Sequence, residues 1–341
     1  MTSDLAIALL AAGKGTRMRS ALPKVLHPLC GRPLLRLALD VADALEPALT
    51  AVVVNPEILA RVRAAMGPGY SYCVQEELLG TGHALRQAQP LLEGKSQRVL
   101  VLYGDVPLLR AESVRALVEA QRASGAPVAL LSFHTPNPTG YGRVLRDAAG
   151  QLRELVEERD ATPEQRAVTE CNSGIYCFDA AWLWANIGRI QINPAKGEYY
   201  LTDTVALAVA ERGRGAAIAL PADDPNVALG INDRAQLAEA EAVLRARLLR
   251  ELMLSGVTVS DPASTYVDVG VRVGADTTLL PGTLLRGETS VGARCIIGPH
   301  AQLRNALVGD EAHVAFSLVE NATVEAGSRV GPFAYVGKHK G

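Results

Sequence analysis

A short apolar run, Leu5 to Leu10, leads straight into Ala11, Ala12, Gly13, Lys14, Gly15, Thr16, Arg17 and Met18. A glycine-rich turn after a first strand lets backbone N–H groups approach phosphate oxygens closely, so phosphate binding is the chemistry expected there. A bare Gly-x-Gly could equally be a plain tight turn. Two better-known phosphate motifs are absent. A Walker A motif needs Gly-Lys followed by Ser or Thr, and the dinucleotide fingerprint needs a third glycine where Met18 stands. A second candidate is Tyr103-Gly104-Asp105-Val106-Pro107, which closes the apolar run Val99 to Leu102. That puts Asp105 at the carboxyl end of a strand, where α/β folds bind ligands. A hard carboxylate oxygen at such a place suits magnesium. No transition-metal site is expected: the six histidines (His27, His83, His134, His300, His313, His339) form no HxxxH or HExxH pair, and the cysteines lack CxxC spacing.

The elements that must position these residues follow from the hydrophobic pattern. From residue 5 to about 230, short aliphatic runs (Leu5 to Leu10, Ala51 to Val54, Val99 to Leu102, Val128 to Ser132) alternate with stretches whose apolar residues recur at three and four positions, as in Leu34 to Ala44 and Glu112 to Ala123. This is the pattern of βαβ units around a largely parallel sheet. Asp233 to Leu254, rich in Ala, Leu, Glu and Arg, predicts one long helix with Leu237, Leu244 and Leu248 on its apolar stripe, stopping at Gly256.

Beyond Gly256 the texture changes. An aliphatic residue followed by Gly occurs at Val273, Val291, Ile297, Val308 and Val330, and Leu279, Leu285 and Leu303 fill the intervening sixes, with slips near 308 and 319. Such a hexad predicts a parallel β-helix in which every sixth side chain points inward and a Gly or small polar residue makes the corner. A stretch of about 80 residues holds four or five coils of roughly 18. A small β-sandwich with regular turns is the competing reading.

LAAGKGTRM followed by PKVLHPLCGRPLL (Leu10–Met18, Pro23–Leu35) resembles the signature of sugar-1-phosphate nucleotidyltransferases, and later blocks narrow the likeness to the bacterial bifunctional N-acetylglucosamine-1-phosphate uridylyltransferase/glucosamine-1-phosphate acetyltransferase family. These blocks are LGTGH after Gln75, TGYGRV around Gly142, LVEERDAT around Glu157, CNSGIY around Asn172, GEYYLTD around Thr202 and GINDR around Asn232. The resemblance implies an α/β fold: a Rossmann-like, mostly parallel αβα nucleotidyltransferase domain over residues 1–232, a linking helix over 233–256, and a short left-handed parallel β-helix over 257–341.

It also implies roles. Arg17 and Lys24 are the two cations of the signature, suited to the charge that builds on a triphosphate during attack. The nucleotide would lie on Leu10, Ala11, Ala12, Gly13 and Lys24, its base read by Gln75, Gly80 and Thr81. The sugar would meet Tyr103, Gly104, Gly142, Glu157, Asn172 and Thr202. Mg²⁺ would be shared by Asp105 and Asn232, although Asn232 alone also reads as a helix N-cap. His83 could be taken for a base, but attack by an anionic phosphate needs none, which leaves it a structural role.

The implied reaction joins UTP and N-acetylglucosamine 1-phosphate into UDP-N-acetylglucosamine and pyrophosphate, for cell-wall precursor synthesis. The alternatives are a nucleotidyltransferase for another sugar, such as a glucose-1-phosphate thymidylyltransferase, or a catalytically silent nucleotide-binding subunit. The segments that carry acetyl transfer in the family have no counterpart here, so that activity is not expected, and the ending Lys338-His339-Lys340-Gly341 fits neither the hexad nor the family. Hexapeptide proteins associate as trimers, which makes a homotrimer the expectation.

Composition agrees with such an enzyme. With 341 residues, 48% of them hydrophobic, the chain can bury a full core, and a formal charge of -2 from 34 basic and 36 acidic residues gives no polyanion-binding surface, so nucleic acid is not an expected partner. No basic n-region precedes the first apolar run and no stretch reaches the roughly 18 apolar residues of a membrane helix, so a cytoplasmic protein without a membrane partner is expected. Five scattered cysteines read as reduced, structural thiols.

Overall fold

The computed structural model describes residues 4–194 and 196–337, and every count or absence below refers to these; the Lys338–Gly341 ending lies outside them. Two compact units are present. One holds the chain up to His27 together with Pro33–Arg234; the other holds Pro28–Arg32 together with the chain from Ala235 on.

The first unit is built on a nine-stranded sheet whose spine runs Ala217–Pro221, Val128–His134, Glu170–Asp179, Arg98–Tyr103, Leu5–Leu10, Leu49–Val54, Ser71–Val74, with the hairpin Arg143–Arg146 and Leu152–Val156 attached to Glu170–Asp179. All spine neighbours are parallel except those of Glu170–Asp179, which runs against both of its partners. Leu5–Leu10 is buried along its whole length because both of its faces are covered. Leu5, Ile7 and Leu9 pack with Leu35, Ala38 and Leu39 of the helix Leu34–Asp43 and with Val114 and Leu117 of the helix Ala111–Ser124. Ala6, Ala8 and Leu10 pack on the other side with Ala84, Leu85 and Ala88 of the helix Thr81–Leu92. This is the expected αβα sandwich, and alternation of side chains along one strand produces it.

The second unit contains the parallel β-helix. Short strands stack into three sheets of five, five and four, and successive coils pair in parallel. The inward ladder is the hexad itself: Leu279 lies beside Ile297, Leu285 beside Leu303, and Val291 beside Val308. The slips are real changes of coil length. The register runs Leu285 to Leu303, then Val291 to Val308, then Leu303 to Val319, so a coil shrinks from 18 residues to 17 and then 16.

Two corrections apply. The corner is not confined to Gly or small polar residues, because Arg294, His300, Glu311, Phe316 and Phe333 also occupy the left-handed region there. The glycine after the aliphatic residue serves close approach instead: a Cβ on Gly292 would lie 2.7 Å from the Asp310 nitrogen of the next coil. The long helix runs Arg234–Leu254, but Leu237, Leu244 and Leu248 are only half-buried; its fully buried residues are Ala240 and Leu249, and Leu249 joins the β-helix core.

Leu303 is fully buried in that ladder. Leu303→Ala is expected to destabilise the β-helix by about 2–5 kcal/mol, through lost burial and the cavity left behind. Urea unfolding followed by circular dichroism measures it, and a shift below about 1 kcal/mol would mean the inward ladder does not carry the stability assigned to it.

The segment Pro28–Arg32 is a member of the C-terminal unit. Cys30 O accepts from Val269 N–H at 2.9 Å, Cys30 Sγ lies 3.8 Å from Glu241 O, and burial pushes the thiol up to about 12. At its neck, Leu34 N–H donates to His27 O at 3.0 Å.

Candidate active site

The glycine turn is anchored at its base and open at its tip. Ala11 N–H donates to Val53 O at 2.8 Å, and the buried Asn55 side chain donates to Ala12 O at 2.7 Å, so the neighbouring strand holds the start of the turn from one side. Gly15 then adopts φ +62°, and a Cβ there would lie 2.5 Å from Lys24 Cβ. Its bare backbone is what lets the lysine stem pass inward. Lys24 is buried, and its ammonium donates to Asp105 Oδ2 at 2.5 Å and to Asn232 Oδ1 at 3.4 Å.

Asp105 reaches this point at the end of Arg98–Tyr103, where Gly104 N–H donates to Leu10 O at 2.9 Å. Asp105 O in turn accepts from Ile231 N–H at 2.9 Å, which fixes the Asn232 loop beside it. The helix itself begins at Arg234, and the Asn232 carboxamide, just before it, faces Lys24. Lys24 and Asn232, 208 positions apart, thus meet beside Asp105, whose backbone oxygen holds the Asn232 loop.

These groups line a cleft of about 490 Å³, with Leu10, Ala11, Ala12, Gly13, Arg17, Gln75, Gly80, Thr81 and Tyr103 on its walls. Arg17 is exposed, with no ion-pair partner among the described residues. Gln75 is buried; its Nε2 donates to Gly80 O at 3.1 Å, which leaves the carbonyl end of the amide for a ligand donor. The Leu79–Thr81 segment is seated on Glu198–Leu201: Tyr199 N–H donates to Leu79 O at 2.8 Å, and Leu201 N–H donates to Thr81 Oγ1 at 3.1 Å. Gly80, at φ +93°, has Tyr199 O only 2.7 Å from where a Cβ would be. Thr81 also opens the helix Thr81–Leu92, whose first backbone N–H groups have no intrahelical acceptor.

Gly142, Glu157, Asn172 and Thr202 lie together in a cluster of their own. Asn172 N–H donates to Gly142 O at 2.9 Å, Thr202 Oγ1 lies 3.4 Å from Glu157 Oε1, and Glu157 Oε2 is 3.6 Å from the Cβ position of Gly142. Tyr103 connects cluster and cleft. Its hydroxyl bonds the Thr81 side chain, and its ring edge lies 3.3 Å from the Cβ position of Gly174, two residues past Asn172. Gly104, between Tyr103 and Asp105, turns its Cβ side to Leu35 and Ala11 in the core. Burial raises the Glu157 carboxyl above its ordinary range, with Thr202 and Arg159 opposing the shift, and burial raises Asp203 as well. Desolvated acceptors of this kind suit hydroxyl and amide donors of a sugar.

The residues fit a divalent ion. Asp105 and Asn232 oxygens converge on a single cationic centre, Lys24 Nζ. No group of three or more His, Cys, Asp or Glu able to hold a metal occurs among the described residues. Two hard oxygens are few for calcium or zinc, but magnesium keeps waters and takes its remaining ligands from substrate phosphates.

Comparison with known proteins now bears on this geometry. Residues 7–169 match the family described as MobA-like NTP transferase domain. The chain is 43% identical over 334 residues to "Bifunctional protein GlmU" of Brevibacillus brevis, covering 98% of this chain and 72% of the relative. It is 44% identical over 330 residues to the protein of the same name from Trichlorobacter lovleyi, covering 96% and 71%. The chain belongs to the GlmU family. It is a nucleotidyltransferase.

With the GlmU family in view, several parts of the site stand out that motif reading passes over. Asn55 anchors the glycine turn from a stretch whose spacing signals no role, and Glu198, inside the GEYYLTD block, lines the cleft. Arg143, inside the TGYGRV block, is fully buried; it donates to Tyr141 O and to Arg166 O and shapes the loop next to Gly142. An arginine directly after Gly142, at the head of the short strand Arg143–Arg146, was the available signal. Gln75 and Gln87 side chains contact the two ring nitrogens of His83 at 3.1 Å, and Tyr199 stacks on it. The five cysteines are all free, and none lines the cleft.

Proposed function

We propose that this protein transfers UMP from UTP to N-acetylglucosamine 1-phosphate, giving UDP-N-acetylglucosamine and pyrophosphate, with Mg²⁺ held by Asp105 and Asn232. The observation that carries the reading is the convergence in one cleft of the open glycine turn, Arg17, Lys24, Asp105 and Asn232, joined through Tyr103 to the Glu157–Asn172–Thr202 cluster.

In this reading the sugar phosphate, already anionic, attacks the α-phosphorus of UTP in line; a P–O bond forms on that side as the bond to pyrophosphate breaks. No side-chain nucleophile or base is needed. The turn presents the backbone N–H groups of Ala12 and Gly13 to the nucleotide, and Gln75 offers its carbonyl to a base N–H. Glu157 and Asn172 hold the sugar, which sets the attacking oxygen, and alignment of this kind contributes on the order of 7–11 kcal/mol in related reactions. Arg17 and Lys24 neutralise the charge that grows on the phosphoryl group and the leaving pyrophosphate. The bound ion supplies further charge neutralisation to the phosphates.

The same reading places the enzyme in cell-wall precursor supply in the cytoplasm, acting as a homotrimer. No helix among the described residues is long and apolar enough to cross a membrane.

The test is pyrophosphate release across UTP and dTTP with several sugar 1-phosphates. The pair UTP and N-acetylglucosamine 1-phosphate is expected to exceed every other by about a hundredfold or more, the discrimination that buried polar contacts typically provide. A higher rate with dTTP and glucose 1-phosphate would reassign the substrate. Nucleotide binding without any release would make the chain a silent binding subunit.

A further inference from the structure

Lys24 stands in a place that its role as a phosphate-neutralising cation does not explain. The side chain is buried, its stem runs against the bare backbone of Gly15, and its ammonium is bonded to Asp105 Oδ2 and Asn232 Oδ1. Those are the two side chains assigned to the metal. A magnesium ion contacts its oxygen ligands at about 2.0–2.1 Å, whereas the ammonium already sits 2.5 Å from an oxygen of the same carboxylate. Two cations cannot share that point: they would be within contact distance of each other, and like charges so close repel strongly even in a partly solvated cleft.

We infer that Lys24 is the resident counter-cation of the metal site, and that the divalent ion enters by exchange, expelling the ammonium from Asp105 and Asn232. The inference rests on the reading of these two residues as metal ligands. The expelled ammonium remains within the same cleft as the glycine turn and Arg17, where a nucleotide phosphate is the available anion. Ion and nucleotide then bind cooperatively. The ion without nucleotide leaves a buried lysine unpaired, which is unfavourable; the ion with nucleotide trades one salt bridge for another. The exchange keeps Asp105 compensated when the ion is away and delivers a positive charge to the phosphates when the ion arrives.

The experiment titrates Mn²⁺ alone, with no nucleotide, into the full chain and reads bound ion by electron paramagnetic resonance. Lys24→Met keeps the unbranched stem and removes the charge, and is expected to bind Mn²⁺ at least about tenfold more tightly than the unchanged protein. Lys24→Gln serves as the second variant, with the same expectation, and circular dichroism confirms the fold of each. Saturating UTP is expected to shrink the difference, because the unchanged lysine then has phosphate to bind.

Equal or weaker Mn²⁺ binding by both folded variants in the absence of UTP overturns the exchange. Adding Asp105→Asn to Lys24→Met separates this failure from failure of the metal assignment itself. Loss of the tight binding confirms the site, whereas Mn²⁺ retained at full affinity shows that the ion sits elsewhere, and both readings fall.

Discussion

Asp105→Ala is expected to lower the rate of pyrophosphate release by about a thousandfold, since a bound ion contributes several kcal/mol to a phosphoryl transition state and each 1.36 kcal/mol is a factor of ten. The fold should persist, although buried Lys24 loses its ion-pair partner and stability falls accordingly. The backbone oxygen of residue 105 keeps its bond from Ile231 N–H, so the Asn232 loop stays in place, and the removed side chain is only partly buried. The loss should appear in turnover more than in the KM for sugar phosphate, whose pocket lies around Glu157. Steady-state pyrophosphate release with circular dichroism of the same preparation checks both halves. A rate within tenfold of the unchanged protein, from a folded sample, would place the metal on other residues.

Arg17→Ala is expected to reduce turnover by roughly 10²–10³, the range found when one preorganised donor to a developing charge is removed. Arg17 is exposed and makes no ion pair among the described residues, so nothing in the fold depends on its guanidinium. Thermal stability should stay where it was while the rate collapses, a combination that a structural arginine such as Arg143 could not show. Lys in its place should recover only part of the rate, because a point charge does not reproduce the planar fork on phosphate oxygens. Unaltered turnover in Arg17→Ala would remove it from the site.

Much of this was legible in the residues because the signals were local. Leu5 to Leu10 reads as a strand from its composition, and the turn after it carries its own glycines. Asp105 was findable because it ends an apolar run, and the hexad was findable because a sixfold period survives two slips. The limits of the reading are equally physical. Asn55 acts by meeting Ala12 across 43 positions, and no short-range pattern encodes such a meeting. The stripe Leu237, Leu244, Leu248 is sound helical periodicity, but the buried positions of that helix, Ala240 and Leu249, lie half a turn apart, because what covers a helix can change along its length. Corners of the β-helix escaped a rule based on residue size because bulky residues at Arg294 and Phe316 take the same left-handed backbone.

Because Pro28–Arg32 is counted with the C-terminal unit, no single cut in the chain separates the two bodies cleanly. A piece ending near Arg234 would carry a five-residue excursion stripped of its partners Glu241 and Val269, with a formerly inert Cys30 thiol returned toward ordinary acidity and open to alkylation. The remedy is written in the neck: since His27 and Leu34 are already hydrogen-bonded to each other, a surgeon of this gene could splice the excursion out with a short bridge and leave a continuous, self-contained catalytic module.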